Sequence, residues 1–159
     1  FKTGRYTFSL PLSVGALLAG ADGKVLGTLT ALGEKLGIIF QIKDDELGIF
    51  EAEEEIGKPA GSDIAENKKT LFRKHLFDRA IESERAELAG IFGSHELTDD
   101  AVARVRELLA RHDVRTEVHS LVDSWAESAR EDILRLESES SADVTMLHEL
   151  LAYNLARSR

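Results

Sequence analysis

The sequence predicts an all-α chain. Two observations lead there: apolar residues recur at spacings of three and four along most of the 159 residues, and no stretch of useful length alternates apolar with polar. In order, a first helix follows Lys2 and Thr3 and carries "FSLPL". "AGADGK" (residues 19 to 24) reads as a loop. A long helix then runs through Leu26, Leu29, Leu32, Leu36, Ile39, Ile42 and Phe50, with Phe40 in the adjacent row. After the loop "GKPAGSD", Leu71, Leu76 and Ile81 with Phe72 and Phe77 mark another helix, closed by the loop "GSHEL". Thr98 is placed as an N-cap, since acidic residues follow it into a helix carrying Val102, Val105, Leu108 and Leu109. The next helix is expected from about Thr116 to Leu136, with Trp125 in its apolar stripe. "ESESS" (137 to 141) is expected as a solvated linker, and a last helix spans about Asp143 to Arg157.

Composition bounds the function. With 43% hydrophobic residues, the chain is long enough for one globular domain with a real core. It has no cysteine, so it holds no disulfide, which suits a reducing, cytoplasmic setting. A formal charge of −9 argues against sequence-independent nucleic-acid binding, which needs a basic surface. No uninterrupted apolar run reaches the roughly 18 to 20 residues of a transmembrane segment. The nearest, "YTFSLPLSVGALLAG", is short and contains Pro11. Phe1 rather than Met begins the chain, which is expected from an interior cut rather than a signal peptide.

Asp44 and Asp45 stand together in the long helix. Helical spacing sets Gln41 beside Asp45 and Asp44 one turn before Gly48. Adjacent carboxylates repel, and nearby cations stabilise them. Hard divalent ions such as Mg²⁺ take carboxylate oxygens together with waters and phosphate oxygens. Alone, Asp44, Asp45 and Glu46 read as a solvated helix face. Lys58, Lys68, Lys69 and Lys2 change the weighting, because an ammonium pairs well with phosphate. Carboxylates and lysines around one cavity point to a diphosphate–metal site. His75, His95, His112, His119 and His148 show no ligand spacing and are expected at the surface or its boundary. Residues 51 to 55, "EAEEE", fit a solvated turn or a lid at the cavity mouth.

Five words in order, "KT" (Lys2, Thr3), "FSLPL", "FQIKDD" (Phe40 to Asp45), "GKPAGSDI" (Gly57 to Ile64) and "NKKT" (Asn67 to Thr70), resemble the trans-isoprenyl diphosphate synthases of the polyprenyl synthetase family. The match is strong to about residue 81, and "AYNLAR" is similar to the family's last helix. The resemblance implies the C-terminal part of the isoprenoid-synthase helical bundle. Residues 1 to 159 would then be the C-terminal portion of one polyprenyl synthetase domain whose N-terminal half is absent from this chain. It further implies a Mg²⁺-dependent prenyltransferase. Isopentenyl diphosphate is condensed head to tail with an allylic prenyl diphosphate, giving a short- or medium-chain product such as geranylgeranyl diphosphate. By the same resemblance Asp44 and Asp45 begin the second aspartate-rich motif and bind metal. Lys2, Thr3 and Gln41 touch the allylic diphosphate and reacting region, and Lys58 and Lys68 clamp the diphosphate as it leaves. A homodimer is the family's usual state.

Gly48 departs from the pattern, standing where the family commonly has a third aspartate. Gly48→Asp is expected to be tolerated if that side faces a hydrated metal region. The family's first aspartate-rich motif is not in this chain, so the fragment alone is expected to be inactive. It is also expected to leave an apolar wall of Phe8, Leu12, Leu36 and Phe40 uncovered. The alternatives are a non-catalytic relative acting as a binding or regulatory subunit, and a related metal-dependent terpenoid synthase. The second alternative does not usually share "GKPAGSDI".

Overall fold

The computed structural model describes residues 3–50, 61–140 and 143–157, apart from the side chain of Thr3. The described residues are largely helical, with no strand among them, as the sequence predicts. They group into two compact units, one from residues 1–43 and 121–157 and the other from residues 44–120.

In the first unit a π-helical stretch, Thr3–Ser9, leads into α1, Leu10–Leu18, which carries Pro11 in its first turn. There the missing amide hydrogen costs least. Asp22 Oδ1 accepts from the amides of Lys24 and Val25 and starts α2, Gly23–Phe50. The N-terminal helical segment lies directly against α2. A Cβ on Gly33 would sit 2.4 Å from Ser9 Cα, and one on Gly37 would sit 2.2 Å from Gly4 Cα. Only glycine permits that crossing. Ser9 Oγ donates to Thr30 O (3.1 Å), and the hydroxyls of Ser13 and Thr30 lie 2.9 Å apart.

Leu32, Leu36, Ile39 and Ile42 of α2 are buried, as are Val122, Ala126, Ala129, Ile133 and Leu136 of α7 (Val114–Ser140). Lys35 of α2 reaches Asp132 of α7 at 2.5 Å and also donates to Ser128 O (3.2 Å). The last helix of this unit, Thr145–Ala156, follows a buried Val144 and buries Leu151 and Asn154. Arg157 then stacks over the Phe40 ring at 4.1 Å, and Phe40 packs against Phe8 at 5.4 Å.

The second unit takes the end of α2, α3 (Ser62–Ala65), α4 (Leu71–Arg79), α5 (Glu82–Ile91), α6 (Asp99–Arg111) and the first turns of α7. Its core includes Ile64, Phe72, Leu76, Leu88, Val105, Leu108, Val114 and Val118. Thr70 and Thr98 cap α4 and α6, accepting from the amides of Arg73 (3.1 Å) and Ala101 (3.2 Å).

Four expectations are corrected. The helix over Leu71 to Ile81 ends at Arg79, because Ala80 turns extended. Glu84 then accepts from the Ile81 amide (3.1 Å) and opens a separate α5. Residues 137 to 140 belong to α7 rather than to a linker. There the Ser138 and Ser140 hydroxyls bond carbonyls of the preceding turn, and Glu139 pairs with Lys24 at 2.8 Å. Trp125 is 37% exposed, since Val122, Ala126 and Ala129 take the inward positions of its stripe. Leu36 is fully buried, so it is no part of an uncovered wall. The exposed large apolar residues of the first unit include Tyr6, Leu10, Val14, Leu17 and Leu18.

By length and composition α2 is also apolar enough to cross a bilayer, which the reading by uninterrupted runs passed over. Its apolar positions Leu32, Leu36, Ile39 and Ile42 are core positions here, and Lys35 beside them holds the ion pair with Asp132.

Candidate functional site

The last two turns of α2 carry Asp44, Asp45, Glu46 and Gly48. Asp44 is half-buried, whereas Asp45 and Glu46 are buried. A carboxylate is rarely buried without partners. The solvated-face reading of the three acids therefore fails, and the partners explain how.

Asp45 is met by the loop that follows residue 60. Gly61 has a left-handed backbone (φ 78°), and a Cβ there would lie 2.7 Å from Val102 Cγ2. A side chain is thus excluded both by conformation and by space. This turn begins α3, with Asp63 in its first turn. Asn67, at φ 51°, reverses the chain, and the Lys68 amide returns to Asp63 O at 3.0 Å. The loop is pinned from below, where buried Ile64 accepts the Gly93 amide at 2.9 Å. Its closure aims the Lys68 ammonium at α2. Lys68 Nζ lies 2.9 Å from Asp45 Oδ1 and 3.0 Å from Asp63 Oδ2.

Burial by itself would lower the Lys68 pKa, but the hydrogen bonds it donates to Asp45 and Asp63 outweigh this and raise it above the ordinary lysine value. Lys68 is therefore a fixed cation at any ordinary pH. Glu46 points elsewhere: it accepts from Arg115 Nε and contacts His119 Nε2, each at 2.8 Å, while Arg115 lies over Phe50. Glu46 belongs to a structural ion cluster and not to the aspartate pair.

Gly48 is not open to water alone. A Cβ there would meet the Asp63 carboxylate, with Cγ and Oδ2 both at 3.0 Å. The neighbour of a Gly48→Asp side chain would thus be the Asp63 carboxylate, which must give by a few tenths of an ångström for the change to be tolerated.

Of the residues singled out in the sequence, the structure brings Asp45 and Lys68 into direct contact and sets Asp44 beside them on α2. Gln41 is half-buried, one turn earlier on the same helix. Thr3 lies in the π-helical stretch that reaches α2 at Gly37, and Lys2 and Lys58 fall outside the described residues. Lys69 turns away to Asn67 Oδ1 (3.3 Å). Sequence reasoning gave no role to Asp63, although it sits inside the quoted word "GKPAGSDI". It grouped Glu46 wrongly because its partners are 69 and 73 positions away.

Among the described residues, no group of three or more histidines, cysteines and carboxylates gathers to cage a metal. Asp44 and Asp45 offer oxygen donors only. That set fits Mg²⁺, which binds through one or two carboxylates and keeps waters and phosphate oxygens as its remaining ligands. The arrangement couples an oxygen-donor pair to a fixed cation, as a site for a metal-bound polyphosphate requires.

Residues 1–109 match the family described as polyprenyl synthetase. The geranylgeranyl diphosphate synthase of Saccharolobus solfataricus is 30% identical over 152 residues, covering 96% of this chain and 46% of that protein. A short chain isoprenyl diphosphate synthase of Methanothermobacter thermautotrophicus is 33% identical over 129 residues, 81% of this chain and 39% of its own. The solved geranylgeranyl pyrophosphate synthase from Corynebacterium glutamicum, complexed with isoprenyl diphosphate and magnesium, superposes with a TM-score of 0.86 at 29% identity. That superposition covers 99% of this chain and 44% of that one. The T. brucei farnesyl diphosphate synthase complexed with a bisphosphonate gives 0.85 at 27% identity, over 100% and 44%. The chain spans about half the length of the relatives it matches.

Proposed function

This chain belongs to the polyprenyl synthetase family, and from that premise we propose that the protein of which it forms part is a trans-prenyltransferase. It condenses isopentenyl diphosphate with an allylic prenyl diphosphate, head to tail, to a short- or medium-chain polyprenyl diphosphate. The observation that carries this reading is the buried Asp45 carboxylate 2.9 Å from the Lys68 ammonium, with Asp44 adjacent on α2. The named activities of the relatives support it, as do the ligands of the C. glutamicum structure.

In this proposal Asp44 and Asp45 hold Mg²⁺, which when bound neutralises the diphosphate and eases its departure. Lys68 donates to diphosphate oxygens, with Lys2, Thr3, Gln41 and Lys58 as further contacts. A pre-placed ammonium stabilises leaving-group charge without reorganising at the moment the allylic carbon–oxygen bond breaks. Isopentenyl diphosphate then attacks the allylic cation through its double bond, and a proton is lost. Apolar walls exclude water, which would otherwise capture the cation. A cytoplasmic homodimer completes the reading, resting on the cysteine-free composition and the habit of the family.

The test is condensation of radiolabelled isopentenyl diphosphate with allylic partners of increasing length by the full-length protein and its Asp45→Asn variant. Product formation that collapses in the variant is expected. A folded, magnesium-supplied protein that forms no product with any partner would replace this reading with that of a non-catalytic relative.

A further inference from the structure

We infer that Asp63, on the α3 turn, is a positioning residue whose work is to hold Lys68 in place for a diphosphate. The inference rests on the proposed diphosphate–metal site and concerns how that site is kept in order.

Three observations combine. Lys68 Nζ is gripped from two sides, by Asp45 at 2.9 Å and by Asp63 at 3.0 Å. The Asp63 carboxylate fills the space above Gly48, 3.0 Å from where a side chain would begin. Asp63 is itself fixed, since the Gly61 turn sets it and the Lys68 amide returns to its carbonyl. Lys68 and Asp63 are thus five residues apart on one closed loop, whereas Asp45 comes from α2.

The consequence follows from charge. When a divalent ion draws on Asp45, that carboxylate has less to offer the ammonium and the ion repels it. A lysine held by Asp45 alone would then swing toward solvent, because its stem has four rotatable bonds. Asp63 reaches the ammonium from a different element, so it keeps the ammonium tethered while the remaining protons turn to a diphosphate oxygen. The tether comes from the loop, and Gly48 leaves room for it.

Positioning and simple charge make opposite forecasts. Asp63→Asn removes a negative charge, which on Coulomb grounds alone strengthens binding of an anion. If Asp63 holds Lys68, the same change weakens it. Gly48→Ala separates the two more cleanly, because its Cβ would sit 3.0 Å from the Asp63 carboxylate, which must then give by a few tenths of an ångström with no change of charge. Only the far end of a flexible side chain has to move, so this variant keeps the test open if Asp63→Asn folds poorly.

The experiment is calorimetric titration of the full-length protein with inorganic pyrophosphate at saturating Mg²⁺, with melting curves to verify folding. Asp63→Asn and Gly48→Ala are each expected to weaken pyrophosphate by about tenfold, the scale of one charge-assisted hydrogen bond. Lys68→Gln is expected to weaken it at least as much. Gly48→Asp combined with Asp63→Asn, which returns a carboxylate from α2, is expected to recover most of the loss. Unchanged or tighter binding in both single variants, with Lys68→Gln still impaired, overturns the role of Asp63 and leaves the proposed function standing. A wild-type protein that binds no pyrophosphate, or a Lys68→Gln variant that binds normally, overturns the proposed site and this inference with it.

Discussion

Asp45 and Glu46 are neighbours in sequence, both buried, and answer to different cations: Lys68 for one, Arg115 and His119 for the other. Their substitutions should therefore fail in different ways. Asp44→Ala or Asp45→Asn is expected to lower turnover by a factor on the order of 10² to 10³ or more with little loss of stability, since each removes support for leaving-group charge. Glu46→Gln is expected to lower the melting temperature by leaving Arg115 and His119 without their carboxylate. Steady-state kinetics beside melting curves checks the pair, and a catalytically silent Asp44→Ala removes the metal assignment. A pH effect belongs to Glu84. The hydrogen bond from His112 chiefly holds its carboxyl below the ordinary range, burial opposes this, and the Ile81 amide and Arg111 add to the lowering. A depressed carboxylate contributes stability above its unfolded pKa and loses it as pH falls through the folded value. Below about pH 4 the wild type should lose melting temperature more steeply than Glu84→Gln.

Among the elements, α2 shows how one helix holds glycines of opposite meaning. Gly27 has nothing within 4 Å of a Cβ, so Gly27→Ala is expected to stabilise by about 0.5–1 kcal/mol through helix propensity alone. At Gly37 the Cβ would fall 2.2 Å from the Gly4 backbone, which cannot step aside as a side chain can. Gly37→Ala is expected to cost about 1–3 kcal/mol. Urea denaturation of the two variants measures the contrast, and equal shifts would show that the N-terminal segment does not rest on α2. Thr98 was identified from the acids that follow it, and its hydroxyl accepts the Ala101 amide at 3.2 Å. Local chemistry was enough there, because a cap involves residues three apart.

For the molecule as a whole, residues 1 to 159 alone are expected neither to condense isopentenyl diphosphate with an allylic partner nor to remain monomeric at high concentration. Tyr6, Leu10, Val14, Leu17 and Leu18 recur at helical spacing and are all exposed, an apolar stripe unusual on an isolated soluble chain. The wall expected from the sequence included Leu36, which is buried. Phe8 and Leu12 of that wall are half-buried and lie on the same N-terminal helical segment as the exposed stripe. Radiolabel incorporation and solution mass of the purified fragment test both statements. Turnover by a monomer would show that the remaining length of the relatives is dispensable.

The amino-acid sequence by itself determined the all-α class, the long helices, the Thr98 cap and the family, because each is written in local spacing or in short ordered words. It also marked Asp44, Asp45 and Lys68, since "FQIKDD" and "NKKT" are such words. Only the tertiary structure decided that Asp45 rather than Glu46 meets the loop lysine, that Trp125 is turned outward, and that α4 and α5 are separate. A helical stripe tells which side is apolar but not which neighbour reaches it first. It alone, too, placed Asp63 over Gly48. That contact joins residues fifteen apart through a turn at Gly61, where Val102, a side chain far along the chain that no local pattern reports, leaves no room for a Cβ.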